Sequence, residues 1–166
     1  MRSIFFLTMS LIGSYYLTTL TLWFGHWFSH RASSPLRGFH VLGHHVLYPD
    51  SARVLSGAFR YASGRRDSLY ALVPWLVLQQ IGLFILLPNW LFLPSLLIAF
   101  AVLSMTTYCH LQFHVSESPL ERFGWFCRAR SIHAAHHDED VNFMVADHFW
   151  DRVFGTYASI KAPPSC

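Results

Sequence analysis

Eleven histidines occur among 166 residues, and ten of them stand in four short groups. His26 and His30 form HxxxH, and His110 and His114 repeat it. His40, His44 and His45 form HxxxHH, and His133, His136 and His137 form HxxHH. Residues four apart on a helix are neighbours on one face, so two imidazoles there reach one metal or two adjacent metals. In HxxHH the rings fan over roughly 100°, so the adjacent His136 and His137 point to different places. One such motif therefore touches both metals of a pair. Imidazole suits iron, zinc and copper. A single HxxxH is a weak signal, and one histidine near a membrane surface is ordinarily a packed or solvated residue. Ten buried rings without metal would each need a separate partner, which is costly. A structural zinc site would use four ligands and usually cysteine. The HExxH protease motif and the Glu-x-x-His pairs of carboxylate-bridged sites are absent. A transporter would want its polar groups at mid-membrane. The pattern points to a shared two-metal centre. Neutral ligands leave its charge for hydroxide, oxide or nearby carboxylates to compensate.

Apolar segments must position these groups. Hydrophobic residues make up 53% of the chain and charged residues 13%, about half the charged share of a soluble domain. Three segments approach the ~20 apolar residues that span a bilayer: about 3–24, 68–87 and 91–108. Pro88-Asn89-Trp90 reads as a tight turn, making the last two a hairpin. Pro74 and Pro94 fall near helix starts. Gln79 and Gln80 lie mid-span and should face protein rather than lipid. Arg31, Arg37, Arg53, Arg60, Arg65 and Arg66 separate the first two spans; Arg122, Arg128, Arg130, Arg152 and Lys161 follow the third. Only Arg2 lies beyond the first span on the other side. The positive-inside rule puts the N-terminus outside and segments 26–67 and 110–166 in the cytoplasm. Every histidine group then falls on one membrane face, by hydropathy and charge alone. A net charge of +3 and the lack of a basic tract argue against nucleic acid.

The polar segments carry too many aromatics for linkers and read as a helical cap on the cytoplasmic surface. Ser118-Pro119-Leu120-Glu121 is a capping box that should start a helix through Trp125 and Phe126. Pro49-Asp50-Ser51 reads as another helix start. The fold expected is an all-α integral membrane protein, a single domain over 1–166. It has about three transmembrane helices and a cap holding a histidine-rich dimetal site.

These groups resemble those of the membrane fatty acid hydroxylase/sterol desaturase superfamily. Asn142-Phe143 through Trp150-Asp151-Arg152-Val153-Phe154-Gly155-Thr156-Tyr157 is similar to the segment that ends many members. The resemblance covers about 23–157. It implies metal ligands at His26, His30, His40, His44, His45, His110, His114, His133, His136 and His137. It further implies two iron ions, and O2-dependent chemistry on a lipid-like C–H bond with electrons from a separate donor. No cysteine pattern for an iron–sulfur centre, His-Pro-Gly-Gly heme segment or GxGxxG occurs, so that donor is expected to be cytochrome b5, ferredoxin or rubredoxin with a reductase. Asp138, Asn142, Asp147 and His148 are candidates to orient the ligand rings. Asp151 and Arg152 should pair with each other or cap a helix.

Two departures from the family pattern carry expectations. The usual second group is HxxHH. On a regular helix His40, His44 and His45 would spread over about 140°, too wide for one face. A helix break or π-bulge near Leu42–Gly43 should bring the rings together. Longer relatives also carry more membrane helices, and a homodimer is one way to supply them. The reaction expected is hydroxylation, in a bacterial inner membrane or the endoplasmic reticulum. Desaturation on the same site is the alternative, and an aldehyde-processing lyase a weaker one. A non-catalytic metal-binding membrane protein is the rival from another class.

Overall fold

The computed structural model describes residues 2–48, 57–60, 69–145 and 147–159. Among them every regular element is helical: α1 (Arg2–His30), α2 (Arg37–Phe39), a π-helix (His40–His45), α3 (Leu69–Leu86), α4 (Asn89–Phe113), α5 (Gly124–Asp138) and α6 (Phe149–Val153). Pro49-Asp50-Ser51 lies outside the described residues, as does Ser68 at the start of the expected second span.

Two helices, Ile4–His30 and Asn89–Phe113, are long and apolar enough to cross a membrane. The expected middle span falls on α3, whose described part is Leu69–Leu86 with an apolar stretch over Ala71–Leu86. The other two overrun the boundaries read from hydropathy. At 1.5 Å per residue, α4 is about 38 Å long against ~30 Å of hydrocarbon. The surplus is the turn that carries His110. In α1 the helix likewise continues without a break from its apolar stretch through His26 to His30.

The three long helices meet through small and polar residues. Ser95, fully buried on α4, receives the Ser14 hydroxyl at 2.7 Å from α1. Gln79 on α3 donates to Thr18 on α1 at 3.1 Å, so this mid-span amide does face protein. Small side chains let helix backbones approach where lipid gives no hydrophobic drive to associate. Gly25 does this for α1 and α3, because a Cβ there would lie 2.6 Å from Cδ1 of Trp75. Pro88 caps α4, with its carbonyl receiving Leu91 N and Phe92 N at 2.9 and 3.0 Å, which closes the expected hairpin. Pro74 and Pro94 sit inside α3 and α4, not at their first turns.

The shorter helices gather at the ends of α1 and α4 that carry histidine. The capping box forms its contacts without the helix expected of it. Ser118 N donates to Glu121 at 3.2 Å and Leu120 N to Ser118 Oγ at 3.3 Å, but this segment is a turn and α5 starts at Gly124. Arg130 on α5 explains the arrangement. It donates to Glu121 at 2.7 Å and to the Gln112 and Val115 carbonyls at 3.1 and 3.0 Å, closing the end of α4. The chain after α5 returns against α1. Trp150 donates to Thr19 at 3.0 Å, and the Tyr15 hydroxyl to Asp147 at 2.6 Å. One apolar cluster joins Leu22 and Trp23 of α1 to Leu76 of α3 and to Phe143 and Met144. A second joins Cys109 and Phe113 to Phe126, Ala129 and Val145.

Candidate metal centre

Four elements bring the imidazoles together: the end of α1, the π-helix, the end of α4 and the end of α5. Nine rings fall into two groups in which one ligand atom per residue lies within 4.8 Å of every other. The first group is His26, His30, His40, His45 and His136, and the second is His44, His114, His133 and His137. His110 stands beside the second, its Nε2 3.1 Å from that of His44. Adjacent histidines do part company. His44 and His45 enter different groups, and so do His136 and His137.

The π-helix over His40–His45 matches the break expected near Leu42–Gly43. Its wider turn, with i→i+5 hydrogen bonds, brings residues five apart onto one side. His40 and His45 accordingly meet, with Nε2 atoms 3.0 Å apart, while His44 turns toward His110.

The donor set fits metal ions. Nε2 faces Nε2 at 2.7 Å for His26 and His40, and at 3.2 Å for His45 and His136. In the second group the separations are 3.1 Å for His114 and His133 and 3.2 Å for His133 and His137. Two ligands at right angles on a metal, each ~2.1 Å from it, stand about 3.0 Å apart. Neutral rings, by contrast, share at most one proton per contact and leave several nitrogens facing one another. His30 Nε2 is buried with no hydrogen-bond partner, although its Nδ1 is engaged. Burial pushes the imidazoles of His40, His44, His133 and His136 well below their ordinary pKa, and neighbouring rings add to the effect. His45 is lowered for the same reasons. Each is therefore an uncharged donor at neutral pH, the form a metal requires.

The outer nitrogens are held by one short segment after α5. The carboxylate of Asp140 contacts His30 Nδ1 at 2.8 Å. The Val141 carbonyl accepts from His136 Nδ1 at 2.7 Å, and the Phe143 carbonyl accepts from His26 Nδ1. All three rings belong to the first group. In the second, His137 Nδ1 meets the Tyr48 carbonyl at 2.8 Å. An acceptor on Nδ1 fixes the tautomer and leaves Nε2 as the atom that can face a metal.

The candidates for orienting residues are placed differently. Asp147 binds the Tyr15 hydroxyl and Phe149 N, at 2.6 and 2.9 Å. Asn142 is buried in the left-handed region (φ 53°), where it accepts from Ala158 N at 2.9 Å. His148 contacts Asp151 at 3.2 Å. Asp138 is exposed at the end of α5. Asp151 does not pair with Arg152, whose guanidinium lies over the Tyr157 ring at 4.4 Å. Nothing in the sequence marks Asp140 or the two carbonyls as partners of the rings. A backbone acceptor leaves no residue-type signal, and Asp140 differs from Asp138 and Glu139 only in where the helix stops.

The fatty acid hydroxylase family profile matches residues 11–156. No curated protein and no solved structure is matched. The match contains all ten grouped histidines together with the segment through Thr156, and two apolar helices accord with a membrane-associated family. The chain therefore belongs to the fatty acid hydroxylase family, within the membrane fatty acid hydroxylase/sterol desaturase superfamily.

Proposed function

We propose that this chain is a single membrane domain that hydroxylates a C–H bond of a lipid or other hydrophobic substrate at a di-iron centre. The observation that carries the reading is the sorting of the imidazoles into two adjacent groups. His26, His30, His40, His45 and His136 would hold one iron. His44, His110, His114, His133 and His137 would hold the other. When bound, iron supplies the redox chemistry that puts one atom of O2 into the C–H bond and sends the other to water, with two electrons and two protons.

The protein's own part is to orient, to exclude water and to admit the substrate. The Asp140–Phe143 segment fixes three rings, and the Phe143 ring packs against His26, His30 and His136 at 5.2–5.7 Å between centroids. Burial of the rings keeps bulk water away. An apolar groove of about 460 Å³ lies between α3 and α4, lined by Val73, Val77, Phe84, Phe92, Phe100 and Leu103 among others. Leu103 precedes His110 by two helical turns, about 10 Å. The groove supports entry of the substrate from the lipid side. In this reading the N-terminus is outside and the histidine face is cytoplasmic, following the arginine distribution. Electrons come from a separate protein, cytochrome b5, ferredoxin or rubredoxin with its reductase.

The test is expression in a lipid-producing host, followed by lipid mass spectrometry of cells carrying wild type or His136→Ala. A gain of one oxygen atom that depends on His136 supports hydroxylation. A loss of two hydrogens redirects the reading to desaturation. The same lipid profile in both strains refutes the catalytic reading.

A further inference from the structure

Asp151 is fully buried and lies well away from every ring of the two metal groups in sequence, yet it is the most heavily bonded carboxylate among the described residues. Its Oδ1 accepts from Phe143 N at 2.9 Å, Thr156 Oγ1 at 2.8 Å and Trp23 Nε1 at 3.1 Å. Its Oδ2 accepts from Met144 N at 3.0 Å and faces His148 Nδ1 at 3.2 Å. Its backbone carbonyl receives Thr156 N and Tyr157 N at 2.8 and 3.1 Å. The bonds to Phe143 N and Met144 N matter most, because they grip the segment whose carbonyls orient His26 and His136. Trp23 is on the same helix as His26, one turn earlier, so Asp151 fixes both ends of the Phe143–His26 contact.

We infer that Asp151 is a positioning residue for the first imidazole group alone, acting through the Phe143 peptide. The inference rests on the two-metal reading above. The geometry explains why the effect is selective. Phe143 touches His26, His30 and His136, all of the first group, and the segment's other acceptors serve His30 and His136. Asparagine in place of Asp151 cannot substitute for it. One face of an amide is a donor, which would oppose either Phe143 N–H or Met144 N–H and push the segment out. Loss of an outer partner to a ligand histidine typically weakens metal binding by about 10–100-fold.

The experiment is Fe2+ titration of the full-length, detergent-solubilised, metal-free protein, with bound iron counted and its Mössbauer spectrum recorded. His26→Ala and His137→Ala serve as references for loss at each group. Asp151→Asn should keep one iron at near wild-type affinity and bind the other about 10–100-fold more weakly. Its remaining signal should match that of His26→Ala. Two irons at wild-type affinity, or a spectrum matching His137→Ala, would overturn the inference. If Asp151→Asn loses both irons through unfolding, Thr156→Val decides, since it removes a single donor to Oδ1. Selective weakening of the same iron supports the inference, and equal weakening of both or of neither overturns it. Wild type that binds no more than one iron would instead bring down the two-metal reading, and this inference with it.

Discussion

Gly25 is the residue where packing of the membrane helices and the geometry of His26 are most directly linked. Alanine there would place its Cβ 2.6 Å from Trp75 Cδ1 and 3.3 Å from Cγ and Nε1. Trp75 cannot easily yield, because it is wedged edge-on between Phe24 and Phe28, at 5.0 and 5.4 Å between centroids. The helices must move apart by close to 1 Å to restore ordinary contact. Overpacking of this kind costs about 1–3 kcal/mol, and the better helix propensity of alanine returns up to about 1 kcal/mol. A net loss of about 1–2 kcal/mol corresponds to a fall in Tm of roughly 2–8 °C for a chain of this size. Thermal unfolding of the detergent-solubilised protein measures it. The decisive comparison is a double-mutant cycle with Trp75→Leu. With the indole gone the clash disappears, so Gly25→Ala should become stabilising in that background. If it destabilises both backgrounds equally, Trp75 is not what requires glycine at this position.

Two further predictions concern the histidine end of the helices. Arg130→Ala should lower stability by about 1.5–3 kcal/mol, the usual worth of hydrogen bonds to a charged group. Arg130→Lys should recover less than half of this in the same melt, because one ammonium cannot reach Glu121 and two carbonyls as the guanidinium fork does. The metal-free protein should also be acid-labile. Burial holds the pKa of His40, His44, His45, His133 and His136 below that of the unfolded chain. Below about pH 6.5 the unfolded state therefore takes up protons that the folded state refuses, so stability is full above that pH and falls beneath it. Each ring contributes up to about 1.4 kcal/mol per pH unit. Chelator-treated protein should unfold between roughly pH 6.5 and 5 by circular dichroism, and a flat profile over that range would contradict the burial of these rings as neutral groups.

Much of the site could be read in the sequence because its parts have side-chain signals. The groups HxxxH and HxxHH announce a shared helical face, and hydropathy with arginine placement put all four on one side. Helix ends were less legible. α1 runs on to His30 and α4 to Phe113 because polar residues continue a helix once burial supports them, whereas the apolar stretches end just before the first histidine, His26 or His110. Contacts that hold the ligands were almost wholly hidden. Asp140 reaches His30 across 110 residues, Asp151 reaches Trp23 across 128, and the remaining acceptors are peptide carbonyls. Residue type alone gives no reason to prefer Asp140 over Asp138, or Asp151 over Asp147.

The π-helix allows a further test, because it makes HxxxHH equivalent to HxxHH. On α5 the i and i+4 residues, His133 and His137, share the second group, while i+3, His136, joins the first. On the π-helix the i and i+5 residues, His40 and His45, share the first group, while i+4, His44, joins the second. The alternation is the same, with one residue added to the turn. A π-helix is how an α-helix absorbs such an addition, since the i→i+5 pattern takes up the extra residue without turning its successors to another face. Deleting Leu42, whose side chain is 53% exposed, should therefore convert His40–His45 to an α-helical HxxHH and leave both groups assembled. With the proposed di-iron centre, bound iron should not fall below that of the wild type, and stability should hold or rise as the poorer π geometry is removed. Inserting alanine after His133 makes HxxHH into HxxxHH, so α5 should take up the extra residue as a π turn and keep both groups assembled, with some loss of stability from the poorer π geometry. Loss of iron on deleting Leu42 would mean that the extra residue is needed for the site itself, and that the two motifs are not interchangeable solutions to one geometric problem.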